Sequence, residues 1–215
     1  TLRSYHHRRE KENHRHELQR SLNRQTRKLR QTFFSAIDCL VRTLEARDPY
    51  TSGHSLRVRA LALSLGERLG LEGRQLKRLS LAARLHDIGK VGLAEGILNK
   101  ATALSIEEYA NVREHPIIGE RILTPIIRSR EVLAAIRHHH ERFDGAGYPD
   151  GLCGTDIPYL ARLITVADCF DALTSARAYR ASLPPAAALD ILQLDSGKHF
   201  DPTMVPVFVE MVQSR

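Results

Sequence analysis

Eight side chains of the kinds that bind metals or move protons sit in a few short words of this 215-residue chain. His54 stands in "GHSLRV", and His86 and Asp87 close the apolar run "LAARLHDIGK". His115 precedes Pro116, His138, His139 and His140 run together, and Asp168 is embedded in "LITVADCFDAL". The three cysteines, Cys39, Cys153 and Cys169, show no CxxC spacing, so neither a zinc-finger pattern nor a disulfide framework is indicated. Imidazole nitrogen and carboxylate oxygen without thiolate suit iron, manganese or another first-row divalent ion better than a structural zinc. A carboxylate can bridge two ions with its two oxygens, and paired ions sharing a hydroxide are a recurrent means of cutting phosphodiesters.

Each residue also has an ordinary alternative. A single histidine near a helix end commonly caps it or is solvated, which applies to His54 and His115. His139 and His140, beside Glu141, could form a merely polar helix end. Asp168 could pair with an arginine. A carboxylate ending or entering an apolar helix costs stability without such a partner, so Asp87 and Asp168 demand one. His6, His7, His14 and His16 lie in a basic lead-in and read as surface.

The elements that must position these groups are helical. Residues 8–46 contain no Gly or Pro, and Leu18, Leu22, Leu29, Phe33, Ile37, Leu40 and Leu44 recur at threes, fours and sevens, predicting one long helix. Asp48-Pro49 ends it, and Thr51 or Ser52 is placed to cap a second helix reaching Gly70. A third covers 73–86. Ser105 and Glu108 form a capping box for a fourth, which stops before Pro116. A fifth lies near 128–140, followed by the loop "FDGAGYPDGLCGTDIP". Pro158 suits the first turn of "PYLARLITVADCFDAL", and "PPAAALDILQL" and "PTMVPVFVEMVQ" supply the last two. No stretch alternates as a strand with hairpin turns, so the fold class is all-α.

Net charge narrows the partners. The chain carries +7, and residues 1–32 hold ten Lys/Arg against three Glu, so the rest is balanced. A nucleic-acid-binding domain carries its excess on the folded body, whereas a solvated helix surface fits this distribution; no DNA is expected as a partner. No run approaches the ~20 apolar residues of a membrane span, and the N-terminus has no signal-peptide core. The first residue is not Met, which suggests a piece of a longer, cytoplasmic protein. Residues 1–37 read as a basic helical connector, coiled-coil-like, that either joins a second copy in a homodimer or is a solvated linker.

In order, "HSLRV", "LHDIGK", "REHPIIG", "HHERFDGAGYPDGL", "IPYLARLITVADCFDALTSARAYR" and "HFDPTMV" resemble the HD-GYP family, bacterial members of the HD phosphohydrolase superfamily that hydrolyse cyclic di-GMP. The resemblance covers about residues 38–213 and implies an HD-domain helical bundle over 38–215. It makes His54, His86, Asp87, His115, His139, His140 and Asp168 the ligands of two divalent ions, iron or manganese, with Asp87 bridging. His138 falls one place too early. Lys90 would contact phosphate or give a proton to the leaving ribose oxygen, and Asp144, Gly147, Tyr148, Arg177 and Arg180 would meet the substrate.

The expected role is the output module of a signalling protein behind a receiver or sensor domain, hydrolysing cyclic di-GMP to pGpG, with a second cut to GMP left open. Two rival functions are a phosphohydrolase of another nucleotide and a non-catalytic module whose GYP loop recruits GGDEF-domain proteins. Two departures stand out. Tyr50 replaces the Glu that some members use for a third ion, so a dinuclear site is expected. Ala94, Glu95, Ala101 and Thr102 replace the Pro, Asp, Pro and Gly usual after HDIGK, which implies a differently shaped loop.

Overall fold

The computed structural model describes residues 2–47, 53–98, 100, 102, 104–176 and 182–214, with side chains from residue 14 onward except Arg30, Arg47, Glu95 and Leu98. The expectations placed on Asp48-Pro49, Tyr50, Thr51, Ser52, Ala101, Arg177 and Arg180 lie outside the described residues. The chain divides into two compact units, Thr1–Leu40 and Val41–Arg215.

The first unit is a single helix, the leading part of α1 (Leu2–Arg47). With 46 residues and no Gly or Pro, α1 is about 69 Å long at the usual rise per residue.

The second unit builds from α2 (His54–Arg68) and α3 (Gly73–Leu85), a 3-10 turn at Ile88–Gly92, and the short α4 (Glu95–Leu98) and α5 (Ile106–Val112). It continues through α6 (His115–Leu123), α7 (Arg130–His138), a 3-10 turn at Gly154–Asp156, α8 (Tyr159–Thr174), α9 (Pro185–Leu194) and α10 (Val205–Gln213). Among the described residues there is no strand, only an isolated bridge between Ser196 and Phe200. The all-α class therefore holds.

α8 is the axis of this unit. Its mean composition is apolar, and Leu163, Ile164, Val166 and Ala167 are wholly buried as it packs on α2, α3, α7 and α9. Fully burying one leucine contributes about 2 kcal/mol, so this helix anchors whatever its polar face carries. That face carries Asp168 and Asp171.

The structure departs from the sequence reading between 112 and 123. Pro116 was expected to lie beyond a helix end holding His115; instead α5 stops at Val112, and His115-Pro116 opens α6. Proline is tolerated in a first turn because its missing N–H would have no intrahelical acceptor there, so the same residue signals a start as well as a stop. Ser105 and Glu108 do form the reciprocal capping box at the head of α5. Pro158 stands just ahead of α8, as its N-cap.

Candidate metal centre

His54 is placed by two acidic residues the sequence reading passed over. The Glu45 carboxylate accepts from the backbone N–H of Gly53 (3.0 Å) and of Ser55 (2.9 Å), closing the N-terminus of α2. Asp171 accepts from His54 Nδ1 at 2.8 Å, and is itself held by Arg57 Nε (2.6 Å) and Nη2 (3.1 Å). Asp171 lies one helical turn after Asp168. It fixes the ring so that His54 Nε2 faces Asp168 Oδ1 (3.2 Å) and Asp87 Oδ2 (3.7 Å).

Three further histidines share one device. His86 Nδ1 is 2.8 Å from Ala83 O, His115 Nδ1 is 2.7 Å from Val112 O, and His139 Nδ1 is 2.7 Å from Ile136 O. Each donates to the carbonyl three residues before it, which leaves its Nε2 as a bare lone pair. His86 Nε2 is buried and has no hydrogen-bond partner. His115 Nε2 and His139 Nε2 lie 3.3 Å apart, two acceptors facing each other. Buried acceptors left so are costly, and a cation between them removes the cost; the donor set fits a metal.

Asp87 stands between two groups of donors. His54, His86 and Asp87 have ligand atoms within 4.8 Å of one another, and so do Asp87, His115, His139 and His140. Its Oδ2 is 3.5 Å from His86 Nε2, while its Oδ1 is 3.4 Å from His115 Nε2. Asp168 Oδ1, 3.2 Å from His54 Nε2 and 3.8 Å from His86 Nε2, joins the first group. All seven residues expected as ligands thus converge, from α2, α3, α6, α7 and α8.

The charges follow from this crowding. Burial pushes the imidazoles of His86 and His139 below their ordinary range, and takes His140 down to about 3. Burial works against the Asp87 carboxylate too, but Lys90, 2.6 Å away, with His86 and His115 overcomes it and holds the group well below the usual range. His54 is the exception among the rings: burial opposes its charge, yet its bonds to Asp168 and Asp171 outweigh that and raise it to about 10.

Two glycines are dictated by close approach. A Cβ on Gly89 would overlap the His115 carbonyl and come within 2.5 Å of Gly119 N, so only glycine lets the turn after Asp87 pass under α6. A Cβ on Gly147 would overlap the backbone of Arg142 and lie 2.5 Å from Glu141 Cα. Buried Glu141 accepts from Asp150 N (2.7 Å) and Leu152 N (3.2 Å), and Tyr148 N donates to His140 O (3.2 Å), so this loop is folded against the end of α7. Tyr148 precedes a cis Pro149, stacks on His140 with ring centroids 4.9 Å apart, and has the Arg113 guanidinium 4.9 Å from its own centroid.

Asp144 is turned elsewhere, bonded to Arg142 (2.6 Å) and Ala146 N (3.0 Å), and the guanidinium holds it at about 2. His138 also stays outside, bonded to Ala134 O and Asp150 at 2.8 Å each. Asp171 was legible as a same-face neighbour three residues from Asp168, but Glu45, Arg57, Arg113 and Glu141 carry no local signal of their contacts.

A helical bundle whose α3 ends in adjacent His and Asp, with partners delivered from four other helices, defines a class. Residues 38–204 match the HD domain family, and the chain belongs to it, related to the HD-GYP cyclic di-GMP phosphodiesterases. It is 41% identical over 170 residues, 77% of this chain and 44% of the other, to the cyclic di-GMP phosphodiesterase response regulator RpfG of Xanthomonas campestris pv. campestris (strain 8004). It is 36% identical over 170 residues, 77% of this chain and 37% of the other, to the 3′3′-cGAMP-specific phosphodiesterase 3 of Vibrio cholerae serotype O1 (strain ATCC 39315 / El Tor Inaba N16961). Among solved structures it resembles Bd1817, an HDG"Y"P protein from Bdellovibrio bacteriovorus, with a TM-score of 0.61 and 27% identity over 74% of this chain and 51% of that one. The chain therefore spans about half or less of the length of these relatives.

Proposed function

We propose that the chain is a metal-dependent phosphodiesterase of cyclic dinucleotides, acting on cyclic di-GMP to give pGpG as its first product. The observation that carries this is the Asp87 carboxylate, whose two oxygens face two separate groups of imidazole donors. His54, His86, Asp87 and Asp168 would hold one divalent ion, and Asp87, His115, His139 and His140 the other. Oxygen and imidazole donors without thiolate favour iron or manganese. When bound, the ions supply a water ionised at neutral pH and positive charge for the phosphoryl oxygens.

The chain's own residues do the rest. Three backbone-tethered rings and the Arg57–Asp171–His54 relay keep four of the imidazole donors aimed inward before substrate arrives. Lys90, part exposed beside Asp87, is placed to contact the phosphate or give a proton to the departing ribose oxygen. Tyr148, braced on His140, forms a wall beside it. Arg177 and Arg180 are proposed as contacts to the second phosphate.

In this reading the chain is the cytoplasmic output module of a longer protein with a receiver or sensor domain. The exposed tip of its loop, at Asp144 and Ala146, is open to a GGDEF-domain partner.

Turnover of cyclic di-GMP and of 3′3′-cGAMP by the purified chain, loaded anaerobically with Fe(II) or Mn(II), tests the proposal. Faster cutting of cyclic di-GMP, abolished by Asp87→Ala, is expected. Full turnover by Asp87→Ala would refute it, and a preference for 3′3′-cGAMP would reassign the substrate. Retained binding of a GGDEF-domain protein by an inactive chain would favour the docking role instead.

A further inference from the structure

The leading unit is one helix, and most of its described apolar residues face water, Ile37 being buried and Phe33 half-buried. Leu18, Leu22 and Leu29 are 57%, 56% and 71% exposed. An isolated helix gains its stability from a buried face, and among the described residues from 14 to 32 none is buried.

The exposed residues keep a seven-residue repeat. With Leu22, Leu29 and Ala36 at position a, position d holds Leu18, Gln25, Thr32 and Cys39, all exposed. Charge is arranged around this seam. Between residues 14 and 40 the charged side chains are Arg15, Glu17, Arg20, Arg24, Arg27, Lys28, Arg30 and Asp38. Six of them fall at b, c and f, which point away from a partner helix. Arg15 falls at a, at the outer end, and Lys28 at g, opposite Phe33 of a neighbour at e, where its aliphatic stem can pack. The strongest basic excess in the chain thus leaves its apolar seam almost free of charge.

From this arrangement we propose that the helix pairs with a second copy of this chain as a parallel, in-register two-stranded coiled coil over about residues 15–39. The layers decide the orientation. In an antiparallel pair each a residue meets a d residue, so Gln25 and Thr32 would be buried against leucines. In a parallel pair d meets d, and Gln25 faces Gln25 and can hydrogen-bond across the seam. A polar layer between Leu22 and Leu29 lowers affinity while fixing register.

The test is sedimentation of the whole chain over a concentration series. The parent is expected to dimerise. Leu22→Glu with Leu29→Glu should weaken association by about a hundredfold or more, corresponding to roughly 2.7 kcal/mol. Arg20→Gln with Arg27→Gln changes net charge by the same amount on the outward face and should leave association unchanged. Metal content per chain should be equal in all three, showing that residues 41–215 remain folded. In a chain carrying Cys39→Ser and Cys153→Ser, Gln25→Cys should cross-link to itself on mild oxidation and Arg24→Cys should not. A monomeric parent, or equal effects of the two charge changes, overturns the pairing. A dimer in which Gln25→Cys fails to cross-link overturns the parallel register.

Discussion

Gly89 and His54 show how single residues govern this centre in opposite ways, one by steric room and one by charge. Because a Cβ at Gly89 meets backbone, nothing can move aside cheaply, and Gly89→Ala is expected to cost about 2–4 kcal/mol and to lower metal content. Gly96→Ala, where a Cβ meets nothing within 4 Å, is expected to be neutral; thermal melts and metal analysis of both variants make the comparison. His54 gives a pH dependence whose size depends on loading. Without metal its folded-state pKa is raised from 6.5 to about 10, so its stabilisation is complete below 6.5 and is lost as pH climbs towards 10. Asp171, depressed despite burial because His54 and Arg57 hold its charge, contributes above its ordinary range and loses that as pH falls through it. A metal ligand must be neutral imidazole, so loading should expel the His54 proton and flatten the alkaline limb. Denaturant midpoints from pH 6 to 10, with and without Mn(II), measure this; an alkaline limb that persists after loading would count against His54 as a ligand.

At the scale of elements, the α2–α8 contact is a relay rather than mere packing. Asp171→Asn removes the charge that Arg57 and His54 share, and metal affinity is expected to fall about 10- to 100-fold while helicity is unchanged, read by competition with a chelating dye and by circular dichroism. Leu163→Ala, in the wholly buried stripe of the same helix, is expected to cost about 2–5 kcal/mol, with a smaller effect on affinity. Only Asp87 and Asp168, carboxylates on apolar helix runs, announced a partner by themselves; the full set of seven convergent donors was legible through the family resemblance, because each histidine alone had an inexpensive ordinary role. The sequence also made the helical class legible, through period and capping. What it hid were long-range partners and several elements, α6 foremost. Arg113 reaches Tyr148 across thirty-five residues of chain, and no local pattern encodes that distance. Helix α6 was hidden because a proline ends one helix and begins the next with the same chemistry.

For the whole molecule, the division at residue 40 separates a long helix from the unit that carries every donor. Trimming the first 32 residues is therefore expected to leave metal stoichiometry intact. Trimming through Glu45 removes the carboxylate that closes α2 and should lower it, at a cost of about 1 kcal/mol or more. Metal content of the two trimmed chains, beside the parent, decides the point. Among the described residues no helix is long and apolar enough to cross a membrane.

The three tethered rings have one more consequence. His86 and His139 cap the ends of α3 and α7, while His115 and His54 open α6 and α2, so carbonyl ends and N–H ends of helices meet at the same place. Their opposite partial charges offset one another, which leaves the Asp87 and Asp168 carboxylates to set the sign of the centre. An anion approaching such a pole meets repulsion until cations reverse its sign. On the function proposed above, metal supply would then act as a permit for substrate entry as well as for the cut, and a cell short of the metal would leave its signal both unbound and unspent.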